Sequence, residues 1–389
     1  MDKIIALKGP DRVRKRAEIV FGSNDADGAL KAVEMLIKVM AREAILGYCK
    51  KLSVTIHSDN SITVSACDRG MKLCEEILNG KPQWQNIFCE LYASSRELNA
   101  SDTYEIEKEQ DKLYGEGDEI AKYSLDSDYT FDLPAVQYVC EYMRVESVRD
   151  GICKIVEFEK GFASSELSKN DTDEASRTTV KLKLDGEVFT DTEISQAKLT
   201  RFLQVLSTTI DGLECNVFSE RDFSNIGLFY SGGIANIIDS RSQYFKKFEA
   251  LGKDRYNESE YSASVKISVS FWKGEKLIEC FHNFEELSSG EHIDALKKKI
   301  REQVEWALLG RYPSDSAYIK LADRLMQCLV LRVETRATRN STKWTDGTRT
   351  AISNKMITDM ALDAVSDDFS HFLKENIDRI LEHSLEKAH

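Results

Sequence analysis

Between Gly28 and Leu73 the chain changes its hydrophobic period twice. Ala29, Val33, Leu36, Ile37, Met40 and Ala44 recur at three- and four-residue steps, the stripe of an amphipathic helix. Gly47 is a stop signal, because glycine takes the left-handed conformation that ends helices. Leu52, Val54 and Ile56 then alternate, as do Ile62, Val64 and Ala66, with Ser58-Asp59-Asn60-Ser61 between them. Turn residues between two period-two runs predict a hairpin. The prediction is therefore helix, hairpin, then Asp68-Arg69-Gly70 at the exit of the second strand.

The same reading extends along the chain. The spacing predicts a helix over Cys74–Tyr92, and a buried helical face through Val136, Val139, Cys140 and Met143. Strands follow at Arg144–Val148 and Ile152–Phe158, joined at Arg149-Asp150-Gly151, and then a polar loop over Ser164–Arg177. A helix is predicted at Leu199–Ile210 and a strand at Leu213–Phe218. Tyr261–Phe271 alternates, and Lys276–His282 is its expected hairpin partner. A helix over Ile293–Leu309, a strand over Leu329–Glu334 and one long helix over Ala361–Leu385 complete the pattern.

Composition narrows the function classes. At 389 residues, two or three domains are expected. With 42% hydrophobic and 31% charged residues, the composition is that of a soluble globular protein. No apolar run approaches the ~18–20 residues of a membrane span, and no signal-peptide stretch opens the chain, so a cytoplasmic location is expected. Nine cysteines without paired spacing read as free thiols, and Cys280 and His282 lack the second ligand pair of a zinc site. A net charge of −13 argues against a surface that coats nucleic acid. Local basic clusters remain: Arg12, Arg14, Lys15 and Arg16; Lys297, Lys298, Lys299 and Arg301; and Arg332, Arg336, Arg339, Lys343 and Arg349.

Several short motifs, in order, carry a resemblance: Leu7-Lys8-Gly9, Val13-Arg14-Lys15-Arg16, Phe21-Gly22-Ser23, Glu43-Ala44, Gly47-Tyr48-Cys49, Asp59-Asn60-Ser61-Ile62, Arg69-Gly70 and Tyr230-Ser231-Gly232-Gly233-Ile234. The chain resembles the ATPase and transducer region of DNA gyrase B and its topoisomerase IV relative, members of the GHKL superfamily. The resemblance implies an α+β fold. A GHKL (Bergerat) α/β sandwich with an eight-stranded or similar mixed sheet would occupy residues 1–225. A ribosomal-protein-like α/β transducer domain, with a left-handed βαβ crossover, would occupy 226–389.

The family places a general-base glutamate and, four residues on, a magnesium-binding asparagine on one helical face. Here Met35 and Val39 stand at those positions. The family's adenine-binding aspartate corresponds to Ala66, and the first glycine of its Gly-Arg-Gly to Asp68. Its phosphate-covering lid would fall in Glu97–Thr130, where Gly115 and Gly117 survive. Tyr92-Ala93-Ser94-Ser95-Arg96 replaces a His-Ala-Gly-Gly-Lys, and Leu133 and Ala135 stand where the lid's glycines belong. By resemblance, Arg69, Gly70, Arg149, Thr178 and Arg349 are the retained or similar cofactor-binding positions. Only a few residues precede Lys8, where the family has a longer arm, so nucleotide-driven dimer closure by this arm is not expected.

These replacements imply a catalytically eroded clamp or interaction module, with no catalytic base, no metal ligand and no cofactor expected. The alternative is a working ATPase, with ATP and magnesium, rewired around Glu34, Glu43 or Asp68. Expected partners are a second copy through the transducer domain, a gyrase-A-like subunit and DNA, with no membrane.

Overall fold

The computed structural model describes residues 9–45, 47–73, 75, 77–78, 81–91, 129–235, 248–256, 261–312, 317–337, 342–345 and 351–385. They form two compact units, the first ending at Phe229 and the second running from Tyr230. The expected boundary at residue 225 falls inside a strand of the first unit, which displaces the division to Phe229.

The first unit opens with short helices α1 (Asp11–Arg14) and α2 (Ala17–Phe21) and the long α3 (Ala26–Ile45). The hairpin β1 (Lys51–Ile56) and β2 (Ile62–Ala66) follows. Next come β3 (Ile77–Leu78), β4 (Lys81–Pro82), α4 (Gln83–Cys89) and α5 (Tyr129–Tyr138). The unit continues with β5 (Cys140–Arg149), β6 (Ile152–Glu159), β7 (Phe162–Ala163), β8 (Ser168–Asp171) and β9 (Arg177–Leu184). It closes with α6 (Gln196–Thr209), β10 (Glu214–Ser219) and β11 (Ser224–Leu228). One nine-stranded sheet runs β11-β10-β1-β2-β9-β5-β6-β7, with β8 paired to β6. Alternate residues of β1, β2, β9 and β10 are buried, so one sheet face forms the core. Helix α3 packs against α5 and α6, and twelve of its residues are buried, including Leu36 and Ile37 at 0% exposure.

Local readings fail where chemistry other than periodicity decides. The predicted helix over Cys74–Tyr92 is a small β3/β4 ladder followed by α4, with Pro82 immediately before the helix. The helical face expected through Met143 ends at Tyr138, and Cys140 onward is strand. Residues buried on every side carry no usable period. The polar loop over Ser164–Arg177 contains β8, an exposed edge strand whose pairing with β6 is not written in its polarity.

The second unit contains a 3₁₀ turn at Gly233–Ala235, then β12 (Phe248–Tyr256), β13 (Tyr261–Phe271), β14 (Leu277–His282), β15 (Glu285–Leu287) and β16 (Ser289–Gly290). Helices α7 (Glu291–Leu309) and α8 (Ala317–Met326) lead to β17 (Leu329–Ala337). After β18 (Ala351–Ile352) come α9 (Lys355–Ala364) and α10 (Asp367–Leu385). The five-stranded sheet runs β12-β13-β17-β14-β15. Strand β14 is therefore not the hairpin partner of β13: β17 lies between them, antiparallel to β13 and parallel to β14. The β14–α7–α8–β17 connection is a βαβ unit, whose parallel pairing needs a long crossover. The single helix expected over Ala361–Leu385 is two. It breaks at Val365-Ser366, where Asp367 and Asp368 begin a new helix and the Gln303 side chain donates to both freed carbonyls.

Among the described residues all cysteines are free thiols, no His/Cys/Asp/Glu group can hold a metal, and no helix is long and apolar enough to cross a membrane. Cys280 Sγ lies 3.3 Å from His292 Nε2, whereas His282 bonds the Thr335 and Thr342 hydroxyls at 2.8 and 3.1 Å. Burial pushes both histidines down to about 4, and His282 is lowered further by the nearby His292. The unfolded chain protonates these rings first, so folding stability is full above pH ~6.5, falls as pH drops, and levels off near pH ~4. The loss should be about 3 kcal/mol per histidine. Chemical denaturation of the second unit at pH 7, 5.5 and 4 should show this fall, and His292→Gln should flatten it.

Candidate functional site

The register of the first sheet brings the central positions together. β2 pairs with β9 so that Ala66 lies directly opposite Thr178, and both are 1% exposed. On α3, the positions of Met35 and Val39 lie one turn apart on the same face, each 7% exposed. A thioether and an isopropyl group present neither a proton acceptor nor an oxygen ligand there.

Two residues after Ala66 stands a buried carboxylate. Asp68 is 8% exposed, and its Oδ1 accepts from the Gly70 N–H at 2.8 Å and from the Thr178 hydroxyl at 3.0 Å. Burial pushes its pKa above the usual carboxylate value, and the two hydrogen bonds pull against that rise. Thr178 Oγ1 in turn accepts from the Met71 N–H at 2.9 Å. The Met71 carbonyl accepts from Ser147 at 2.7 Å, the Gly70 carbonyl from Arg149 at 3.1 Å, and the Leu73 carbonyl from Lys154 at 2.7 Å. The segment leaving β2 is thus tied to β5, β6 and β9 by hydrogen bonds along its length.

Arg69 makes a two-pronged ion pair with Glu43 at 2.8 and 3.1 Å, and its guanidinium lies 3.7 Å from the centre of the Tyr48 ring. Glu43 is accordingly not a solvated helix carboxylate. Gly70 has φ +79°, and a Cβ there would lie 2.2 Å from the Val148 carbonyl oxygen. That close approach explains why glycine is needed.

Ala66, Arg69, Gly70, Arg149 and Thr178 are therefore brought together with Asp68, while Met35 and Val39 are buried on the helix. Arg349, residues 1–8, and the lid segment with Gly115 and Gly117 lie outside the described residues. Leu133 and Ala135 are fully buried inside α5, which contains Pro134 and packs on α3 and α4. Several members of the basic clusters are engaged internally: Arg14 with Asp185, Lys15 with Asp11, Lys297 with Asp294, Arg301 with Glu305 and Asp323, and Arg336 with Glu334. Arg332 is 1% exposed and pairs with Glu279. The bonding roles of Asp68, Ser147 and Lys154 escaped sequence reasoning. Only Asp68 left a signal there, the Asp-x-Gly spacing of an Asx turn.

A mixed sheet covered by helices on one face, with a site built from the first long helix and the strand-exit loop, defines a GHKL-type ATPase fold. The chain is similar in sequence to DNA gyrase B proteins and shares the fold of the ATPase domains of gyrase B and topoisomerase IV. It is 23% identical to the DNA gyrase B protein of Clostridium acetobutylicum over 382 residues, 96% of this chain and 56% of that protein. The chain thus spans about half the length of the curated relatives it matches. It superposes on the 43K ATPase domain of Thermus thermophilus gyrase B, solved with an aminocoumarin. The TM-score there is 0.70 at 18% identity, covering 96% of this chain and 92% of that one. With the topoisomerase IV ATP-binding domain of Francisella tularensis, the TM-score is 0.66 at 17% identity, covering 97% and 96%. No protein-family model matches the sequence.

Gly70→Ala should destabilise the first unit by at least about 2 kcal/mol, through the left-handed backbone and the clash with Val148. Urea unfolding at neutral pH measures it, and a loss below about 0.5 kcal/mol would contradict the close approach.

Proposed function

We propose that this chain is the clamp region of a type IIA topoisomerase B-like protein that has given up ATP turnover. The observation that carries this reading is the buried Asp68–Thr178–Gly70 hydrogen-bond set beside Ala66, together with Met35 and Val39 on α3. The chain's own carboxylate engages the hydroxyl that would line an adenine pocket. Losing a charge-assisted hydrogen bond to adenine weakens binding by about 1.5–3 kcal/mol. Without an oxygen ligand on α3, magnesium loses its partner there, and water loses its base.

A rewired ATPase is less well supported. Glu43 is committed to Arg69, Glu34 lies 3.7 Å from Lys31, and Asp68 is held by two donors. Glu34 is also one residue from the family's base position, about 100° round the helix. In our reading no nucleotide cofactor is used. The partners are a second copy through the second unit, a gyrase-A-like subunit and DNA, in the cytoplasm.

Calorimetry with Mg-ATP should detect no micromolar binding, and a phosphate-release assay no turnover. Micromolar binding, or turnover that disappears in Glu43→Gln, would overturn the proposal. The combined Met35→Glu, Val39→Asn and Ala66→Asp variant should remain inactive, because Leu133 and Ala135 still occupy the core of α5.

Any dimer should form independently of nucleotide. Sedimentation with and without a non-hydrolysable ATP analogue checks this, and a dimer seen only with the analogue would refute it.

A further inference from the structure

A second constellation lies on the other face of the first sheet. His57 follows β1, with its backbone N–H bonded to the Ser61 carbonyl at 2.9 Å. Its Nδ1 lies 2.8 Å from Glu220 Oε1, and its Nε2 lies 2.7 Å from the Thr63 hydroxyl. Glu220 is fixed twice more: its N–H donates to the Ile56 carbonyl at 2.9 Å, and its Oε2 accepts from the Ser58 N–H at 3.1 Å. Thr63 alternates with the buried Ile62 and Val64, so its side chain points away from the helices that cover the core.

Chemistry sets the proton positions. The Glu220 carboxylate is held below its usual range, first by the His57 hydrogen bond and then by the Ser58 N–H. An ionised carboxylate only accepts, so Nδ1 carries the proton and donates to it. In the neutral ring, Nε2 is then left as the acceptor for the Thr63 O–H. This is the order of acid, histidine and hydroxyl that activates a nucleophile. Strand register places Lys181 of β9 opposite Thr63, on the same face and exposed, with Arg144 of β5 beyond it. Cross-strand partners lie roughly 5 Å apart, within reach of an oxyanion forming at Thr63.

We propose that Glu220, His57 and Thr63 form a nucleophilic acyl-transfer site for small, exposed carboxylic esters. Thr63 Oγ attacks the ester carbonyl carbon while His57 Nε2 takes the hydroxyl proton, giving a tetrahedral oxyanion beside Lys181. Collapse breaks the ester C–O bond, and His57 returns the proton to the departing alkoxide. Water, deprotonated by His57, then attacks the acyl-threonine, releasing the acid and restoring the Thr63 hydroxyl. Thr63 and His57 are the catalytic residues, and Glu220 is a positioning residue. The site is independent of the nucleotide reading.

The test is incubation of the full chain with 4-nitrophenyl acetate, reading nitrophenolate release and mapping acetyl adducts by peptide mass. The expected result is saturable release with an acetyl group on Thr63, reduced roughly 10²-fold in Thr63→Val and in His57→Gln. Thr63→Ser, which keeps the hydroxyl, should retain release and separates chemistry from folding. Glu220→Gln should lower kcat with KM little changed, because the imidazole loses the acceptor that holds its Nδ1–H tautomer. Release that is equal in the wild type and Thr63→Val, or acetylation confined to lysines, would overturn the proposal.

Discussion

The buried carboxylate of Asp68 organises the middle of the first unit. It sits at the exit of β2 and is bonded to a hydroxyl on β9 and to the backbone two residues ahead. Taking a carboxylate out of water is costly unless donors replace the lost hydration. Two donors do so here, and they fix where the chain goes next. The following residues are then fastened by Ser147, Arg149 and Lys154 from the neighbouring strands. Arg69, between Asp68 and Gly70, is turned the other way to meet Glu43 at the end of α3. One Asx turn thereby couples the central helix, the hairpin and the far strands of the sheet.

The second unit solves a comparable problem with a buried ion pair. Arg332 and Glu279 are register partners on the parallel strands β17 and β14, and the guanidinium also donates to the Ile234 carbonyl at 2.8 Å. Such a pair is costly to desolvate and is tolerated when its geometry supplies further hydrogen bonds. Ile234 belongs to the Tyr-Ser-Gly-Gly-Ile segment that opens this unit. The ion pair therefore joins the opening turn to the middle of its sheet. A residue that looks in sequence like part of a basic surface cluster is here a core component.

The sequence by itself determined the elements with a clean period. Helix α3 and the β1/β2 hairpin were legible because one face of each is more deeply buried than the other. Strand β13 was legible because small polar residues alternate with its apolar ones, although both of its faces are covered. The short motifs around Met35, Val39 and Ala66 were legible because their spacing is local. Tertiary structure alone decided which side chains meet across the sheet. Neither Asp68 meeting Thr178 nor Glu220 meeting His57 is visible in sequence, since the partners are 110 and 163 residues apart. The same holds for β17 inserting between β13 and β14, because strand order depends on which crossover buries the helices. Hydrophobic period reports which face of an element is buried, and only the packed sheet reports what lies against it.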